Sequence, residues 1–167
     1  MAKDIHKIEF PKATVITTKT KDGTVKVKLE YNQSYVNKFN ININKVQAFT
    51  DETVARYLSR YVSFNTGVQS KSIPLSSEYG SGLVIINVPY ARFQAEGKVM
   101  IGVYSRSPWA RRGERKVVTS KNLVYHNDST RGAHPFERMK ADKKESILNQ
   151  TANYARRLSN GWKYCDG

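Results

Sequence analysis

The chain has 167 residues and sets 28 lysines and arginines against 14 aspartates and glutamates, a formal charge of +14. That length suits one domain burying about two thirds of its unfolded surface and excludes a second. The positive charge runs through most segments rather than one tail, which favours polyanions or acidic protein surfaces as partners.

Residues Ile5 to Tyr31 alternate as strands do, with Val15 and Thr17 on one side and Val25, Val27, Leu29 and Tyr31 continuing after Lys21-Asp22-Gly23. Asp-Gly between such runs is a strong hairpin signal. Lys19, Lys26 and Lys28 are expected on the opposite, solvated face of a two-stranded ribbon, which is marginal until it packs on something. From Ile43 the period changes: Ile43, Val46, Thr50, Val54, Tyr57, Leu58 and Tyr61 fall at helical intervals, with Tyr57 and Tyr61 as core residues. Asn42 or Asn44 can cap this helix, Asp51 and Glu52 interrupt its pattern, and Asn65-Thr66-Gly67 supplies the stop.

Gln69 to Ser77 is polar and contains Pro74, the composition of an edge strand, expected to pair with Leu83 to Val88 across Glu78-Tyr79-Gly80-Ser81-Gly82. Leu83 to Val88 is short, apolar and mostly β-branched, so it reads as the buried centre of the sheet, with either Ile85 or Ile86 pointing inward. Pro89 to Gly97 has the punctuation of a one- or two-turn helix and would present Tyr90, Arg92 and Gln94 at the sheet's edge. A third strand is expected from Lys98 to Tyr104. Ser105 to Lys116, with Pro108, Trp109, Gly113 and five basic side chains, can only be a loop. Lys116 to Thr119 and Leu123 to His126 are expected as a last hairpin over Ser120-Lys121-Asn122. The turn-rich run Asn127 to Ala133 leads into a closing helix from Pro135 to about Leu158, with Gly161 beyond its end. Phe136, Met139, Ile147, Leu148, Ala152, Ala155 and Leu158 can form one face of it. The order of elements predicts an α+β fold, an antiparallel sheet packed by two main helices. An N-terminal β-hairpin extension over 1–41 precedes a single domain over 42–167 that carries the basic loop.

Little of this chain suits catalysis. His6, His126 and His134 lie in different segments, and only His134-Pro135-Phe136-Glu137 places a histidine near a carboxylate, too few ligands for a metal. His134 suits a turn or interface hydrogen bond better. Gly80-Ser81-Gly82 lacks the lysine of a phosphate loop, and no Gly-x-Ser-x-Gly elbow occurs. No enzyme, metal or cofactor is expected. The only cysteine, Cys165, excludes an internal disulfide and points to a reducing compartment. No run reaches the roughly 20 apolar residues of a membrane span, and Met1-Ala2-Lys3-Asp4 lacks the apolar core of a signal peptide, so no membrane partner is expected and the cytoplasm is. The loop is the one candidate binding element: Arg106, Arg111, Arg112 and Arg115 with Trp109 can grip phosphate and stack on a base, or pair carboxylates and anchor a protein interface.

Three blocks carry a resemblance. Pro89-Tyr90-Ala91-Arg92-Phe93-Gln94 with Gly97-Lys98-Val99-Met100, then Ser107-Pro108-Trp109-Ala110-Arg111, then His134-Pro135-Phe136-Glu137-Arg138-Met139-Lys140-Ala141 resemble the minor capsid proteins of long-tailed phages in order and spacing. Those proteins are similar in turn to neck and tail-completion proteins, which share a helix, a Thr-Gly turn, a hairpin, then Tyr-Ala and Gly; Tyr61 and Thr66-Gly67 stand where that pattern has them. The likeness covers roughly Ile43 to Leu158. It departs at Tyr61-Val62-Ser63-Phe64, where the family usually carries a proline. The resemblance implies a non-enzymatic structural subunit of a homo-oligomeric ring, hexamer or dodecamer, at the head-to-tail junction. Its neighbours would be portal-side connector and tail-side proteins, and passing DNA would be met non-specifically. Tyr90, Arg92, Gln94, Arg106, Trp109, Arg111, Arg112, Arg115, His134 and Phe136 become the subunit-interface candidates. The location implied is the virion neck, after assembly in the host cytoplasm. Because the ribbon lies outside the matched region, it is expected to dock on a neighbouring subunit, with completion of its own domain's sheet as the alternative. A monomeric basic RNA- or DNA-binding module is the rival function.

Overall fold

A computed structural model describes residues 7–9, 14–21, 23–29, 32–125 and 129–160 of the chain. Expectations placed on His6, Asp22, Tyr31, His126, Asn127, Asp128, Gly161 and Cys165 lie outside the described residues.

The fold is α+β. Strands β1 (Thr14–Thr20) and β2 (Gly23–Leu29) form the N-terminal hairpin, followed by helices α1 (Gln33–Tyr61), α2 (Val68–Ser76) and α3 (Ala91–Glu96). Strands β3 (Lys98–Gly102) and β4 (Lys116–Asn122) and helix α4 (Pro135–Asn160) complete it. The strands make two separate antiparallel pairs, β1 with β2 and β3 with β4.

Helix α1 is the spine. It starts ten residues before the expected Ile43, because Asn32 caps it: the Asn32 side-chain oxygen accepts the backbone N–H of Ser34 at 2.9 Å and of Tyr35 at 3.3 Å. It runs unbroken through Asp51. One side of α1 packs on α2 and the segment after it, where Ala55, Leu58, Val62 and Ile73 are buried together and Tyr79, Val84 and Ile86 cover them. The other side packs on α4 through Tyr61, Met139 and Ile147, flanked by Val54 and Tyr57. Polar pairs extend that seam. Tyr61 donates to the Asp142 carboxylate, Tyr57 and Ser146 share a hydroxyl contact at 3.1 Å, Gln150 donates to Tyr57 at 2.7 Å, and Phe49 stacks on Tyr154 at 4.4 Å. Desolvation of Tyr61, then its bond to Asp142, pushes its pKa up to about 12, so the phenol stays a donor.

Four expectations are corrected. Gln69 to Ser77 is a helix rather than an edge strand: Gly67, at φ +78, turns the chain, and Gln69, Ser72 and Ile73 then fall at helical spacing and are buried. Pro74 is tolerated near the end of so short a helix, where few backbone bonds remain to be lost. Leu83 to Val88 joins no ladder, so it is not a central strand; Val84 and Ile86 face the core while Leu83 and Ile85 are exposed. The last hairpin is one strand, β4, paired with β3, and Leu123–Tyr125 forms no strand after it. On α4, Phe136, Leu148 and Ala152 fall outside the buried face, which is centred on Met139 and Ile147.

The hairpin forms as expected, with its faces shifted by one residue. Ile16 pairs with Val27 and Thr18 with Val25, whereas Val15 pairs with Lys28 and Thr17 with Lys26. Val15 and Thr17 therefore share the lysine face, and Ile16 with Val25, Val27 and Leu29 makes the apolar one. Every ribbon side chain described is exposed. Ahead of the ribbon, the Ile8 backbone is held to α1 by the Asn40 amide, which accepts its N–H at 2.9 Å and donates to its carbonyl at 3.2 Å.

Candidate functional site

The loop between β3 and β4, residues 103–115, is built around Glu114. One carboxylate oxygen of Glu114 accepts the backbone N–H groups of Tyr104 at 2.8 Å and Ser105 at 2.6 Å, and the other accepts that of Arg111 at 2.7 Å. The Ser105 bond first, then those of Arg111 and Tyr104, hold the Glu114 carboxyl at about 2. At the base of the loop, Gly102 donates to the Ser107 carbonyl at 2.8 Å and Val103 to the Arg115 carbonyl at 3.1 Å. Gly102 is required there, since a side chain would collide with the Glu114 carboxylate and the Ser105 hydroxyl.

This framework has two consequences for what the loop displays. Its only acid is committed to backbone donors, so among the described residues Arg106, Arg111, Arg112 and Arg115 have no carboxylate partner. All four are exposed, and Trp109 and Tyr104 stand 87% and 86% exposed beside them in the chain. Arg106 adopts φ +51, a left-handed conformation that costs a non-glycine residue about 1 to 2 kcal/mol and is held here by the surrounding bonds. A fixed backbone carrying forked cations and aromatic faces can pair carboxylates or phosphates and fill an apolar recess on a partner.

The remaining candidates gather at a second place. The His134 N–H donates to the Ala95 carbonyl at 2.8 Å, the Tyr125 hydroxyl to the Gln94 carbonyl at 2.6 Å and the Leu123 N–H to the Gly97 carbonyl at 2.8 Å, so α3 is tied to the entry of α4. Gly97, at φ +67, lies so close to Ala133 that a Cβ would come within 2.6 Å of the alanine methyl. His134 is itself left-handed at φ +50, and Phe136 is half-exposed on the first turn of α4. Arg92 is exposed and paired with Glu96 at 2.7 Å. Tyr90 and Gln94 line a cleft of about 300 Å³ with Asn65, Thr66, Gly67 and Gln69. The side-chain oxygens of Gln69 and Gln94 are buried without a hydrogen-bond partner. Among the described residues no hydrogen bond joins this cluster to the Trp109 loop.

Two residues that fix turns of the chain escaped the sequence reading. Glu114 is the only acid between Ser105 and Lys116, and an isolated carboxylate in a Gly- and Pro-containing loop is a natural acceptor for turn N–H groups. Asp51, expected as an interruption of α1, is 4% exposed and accepts the backbone N–H groups of Gly80 at 2.8 Å and Gly82 at 2.9 Å, fixing the turn that launches Leu83–Val88.

No protein-family model, curated protein or solved structure matches the chain. Among the described residues no group of three or more histidine, cysteine or acidic side chains is placed to hold a metal, and no helix is long and apolar enough to cross a membrane.

Proposed function

We propose that the chain is a structural virion protein, one subunit of a ring at the head-to-tail junction of a tailed phage, surrounding the channel through which DNA leaves. It works without catalysis or cofactor, by shape and by many modest contacts repeated around closed symmetry. Its partners are further copies of itself in a hexamer or dodecamer, the portal-side connector, the tail-side proteins and, non-specifically, the passing DNA. Assembly begins in the host cytoplasm and ends in the neck.

The motif resemblance supports this reading. The observation that carries it is the Glu114 loop, a backbone framework whose exposed arginines and aromatics find no cover in their own domain. Interfaces draw on Trp, Tyr and Arg in this way. Trp109→Ala is expected to lower infectious yield while circular dichroism and thermal unfolding of the isolated chain stay unchanged. Loss of folded chain would place Trp109 in the core and end the proposal.

The unpaired arginines favour a second reading, a basic RNA- or DNA-binding module. Phosphate contact alone loses affinity steeply between low and physiological salt, by several powers of ten for roughly six to ten contacts. A sequence-selective, salt-resistant complex would support the second reading over the first.

A further inference from the structure

The segment Leu83–Val88 has the composition of a strand and the burial rhythm of one, exposed at Leu83, Ile85 and Asn87 and half-buried at Val84, Ile86 and Val88, yet among the described residues it pairs with no other strand. In an extended chain the amide groups of alternate residues point to opposite edges. On one edge the Leu83 N–H meets the Ser81 hydroxyl at 3.2 Å and the Ile85 N–H meets the Ser77 hydroxyl at 2.9 Å. The backbone groups of Val84 and Ile86, which belong to the other edge, have no partner among the described residues. Leu83 and Ile85 stand exposed on the outer face of this segment. An unpaired edge of this kind is a template for strand addition.

The same chain carries an unsupported ribbon. Ile16, Val25, Val27 and Leu29 form its apolar face and each is more than half exposed, although a lone two-stranded hairpin is marginal in water. We infer that the ribbon of one copy adds to the Leu83–Val88 edge of a second copy, giving a three-stranded intermolecular sheet whose apolar face continues the layer begun by Val84 and Ile86. This rests on the ring proposed above and names the contact that closes it. Joining two different surfaces of identical chains is head-to-tail association, the kind that generates rings.

Reach decides that the donor is another copy. Val84 and Ile86 cover α1 at Ala55, Leu58 and Val62. The ribbon enters α1 at Gln33, about 33 Å away along the helix axis. Only residues 30–32 link Leu29 to α1, a span of about 10 to 14 Å, and a seven-residue strand is about 23 Å long. The near end of the segment is fixed at Asp51, about 27 Å from Gln33, so the ribbon folded back along its own helix would pass that point by only about 6 to 10 Å and could not run beside the whole segment.

The test is disulfide trapping between full-length chains in a Cys165→Ser background under a mild oxidant. One preparation carries Ile85→Cys and the other a single cysteine on either ribbon edge, Thr17→Cys, Lys19→Cys, Thr24→Cys or Lys26→Cys. All these positions are exposed, so folding is not at stake, and a maleimide first confirms that each thiol reacts. The expected result is a mixed disulfide for one or two ribbon positions, lost when Val25→Lys and Val27→Lys are added to the ribbon chain. No mixed disulfide at millimolar chain concentration, or a disulfide forming only within one chain that carries both cysteines, overturns the inference. Trapping by purified protein that plays no part in joining heads to tails would leave the strand addition standing and remove the neck reading. Joining that depends on Trp109 without any trapping would do the reverse.

Discussion

Glu114 decides how the basic loop is presented, and it does so through hydrogen bonds rather than ion pairs. Its carboxyl is held at about 2 against an ordinary 4.5, so the stabilisation of the loop is complete above pH 4.5 and is lost as the pH falls towards 2. Over that window the amides of Tyr104, Ser105 and Arg111 are expected to lose hydrogen-exchange protection, while those of α1 and α4 keep theirs until the whole chain unfolds. Glu114→Gln should have a similar effect at neutral pH, most strongly at Arg111, because an amide nitrogen cannot accept the bond that the second carboxylate oxygen takes. Unchanged protection at all three amides would mean that the loop is held by something else. The cations of this loop were legible as a run of charge. Glu114's role was not, because it reaches ten residues back to Tyr104, a distance at which no local sequence pattern operates.

Between elements, the decisive contact is the one from Asp51 to the Gly80–Gly82 turn. Asp51→Ala strips two partly buried backbone donors of a charged acceptor and is expected to cost roughly 2 to 3 kcal/mol in denaturant unfolding. Ile86→Ala should cost about 2 kcal/mol, the low end for an isoleucine that is only half-buried, and Ile85→Ala no more than about 0.5 kcal/mol in the isolated chain. Equal losses at Ile85 and Ile86 would show that both faces of the segment are covered. Long amphipathic stretches were readable here: the second half of α1, α4 from Pro135, the Asp-Gly hairpin and the Pro-to-Gly span of α3 all lie where periodicity and punctuation put them. The first half of α1 was not, since Asn and β-branched residues are poor helix formers and it is the Asn32 cap and the neighbouring helix that hold them. Propensity misled in α2 and in Leu83–Val88 for a common reason. Packing on Ile73 and Val62 rewards a helix in the first, and the Asp51-held turn leaves the second without an adjacent strand.

At the scale of the whole molecule, the chain is a helical pair flanked by two small sheets, and much of its apolar and cationic surface faces outward: the ribbon, the Leu83 edge and the Trp109 loop. A charge of +14 makes close packing of identical subunits self-repelling unless a polyanion or an acidic neighbour shares the assembly. The charge was legible in the composition, but not which surfaces would be left open, because exposure of Trp109 and of Leu83–Val88 depends on contacts formed far away in sequence. The most direct test of the proposed role is electron microscopy of particles made when the chain is withheld from assembly. The account predicts DNA-filled heads and separate, complete tails that join when purified chain is added back; intact, infectious particles formed without it would contradict the account.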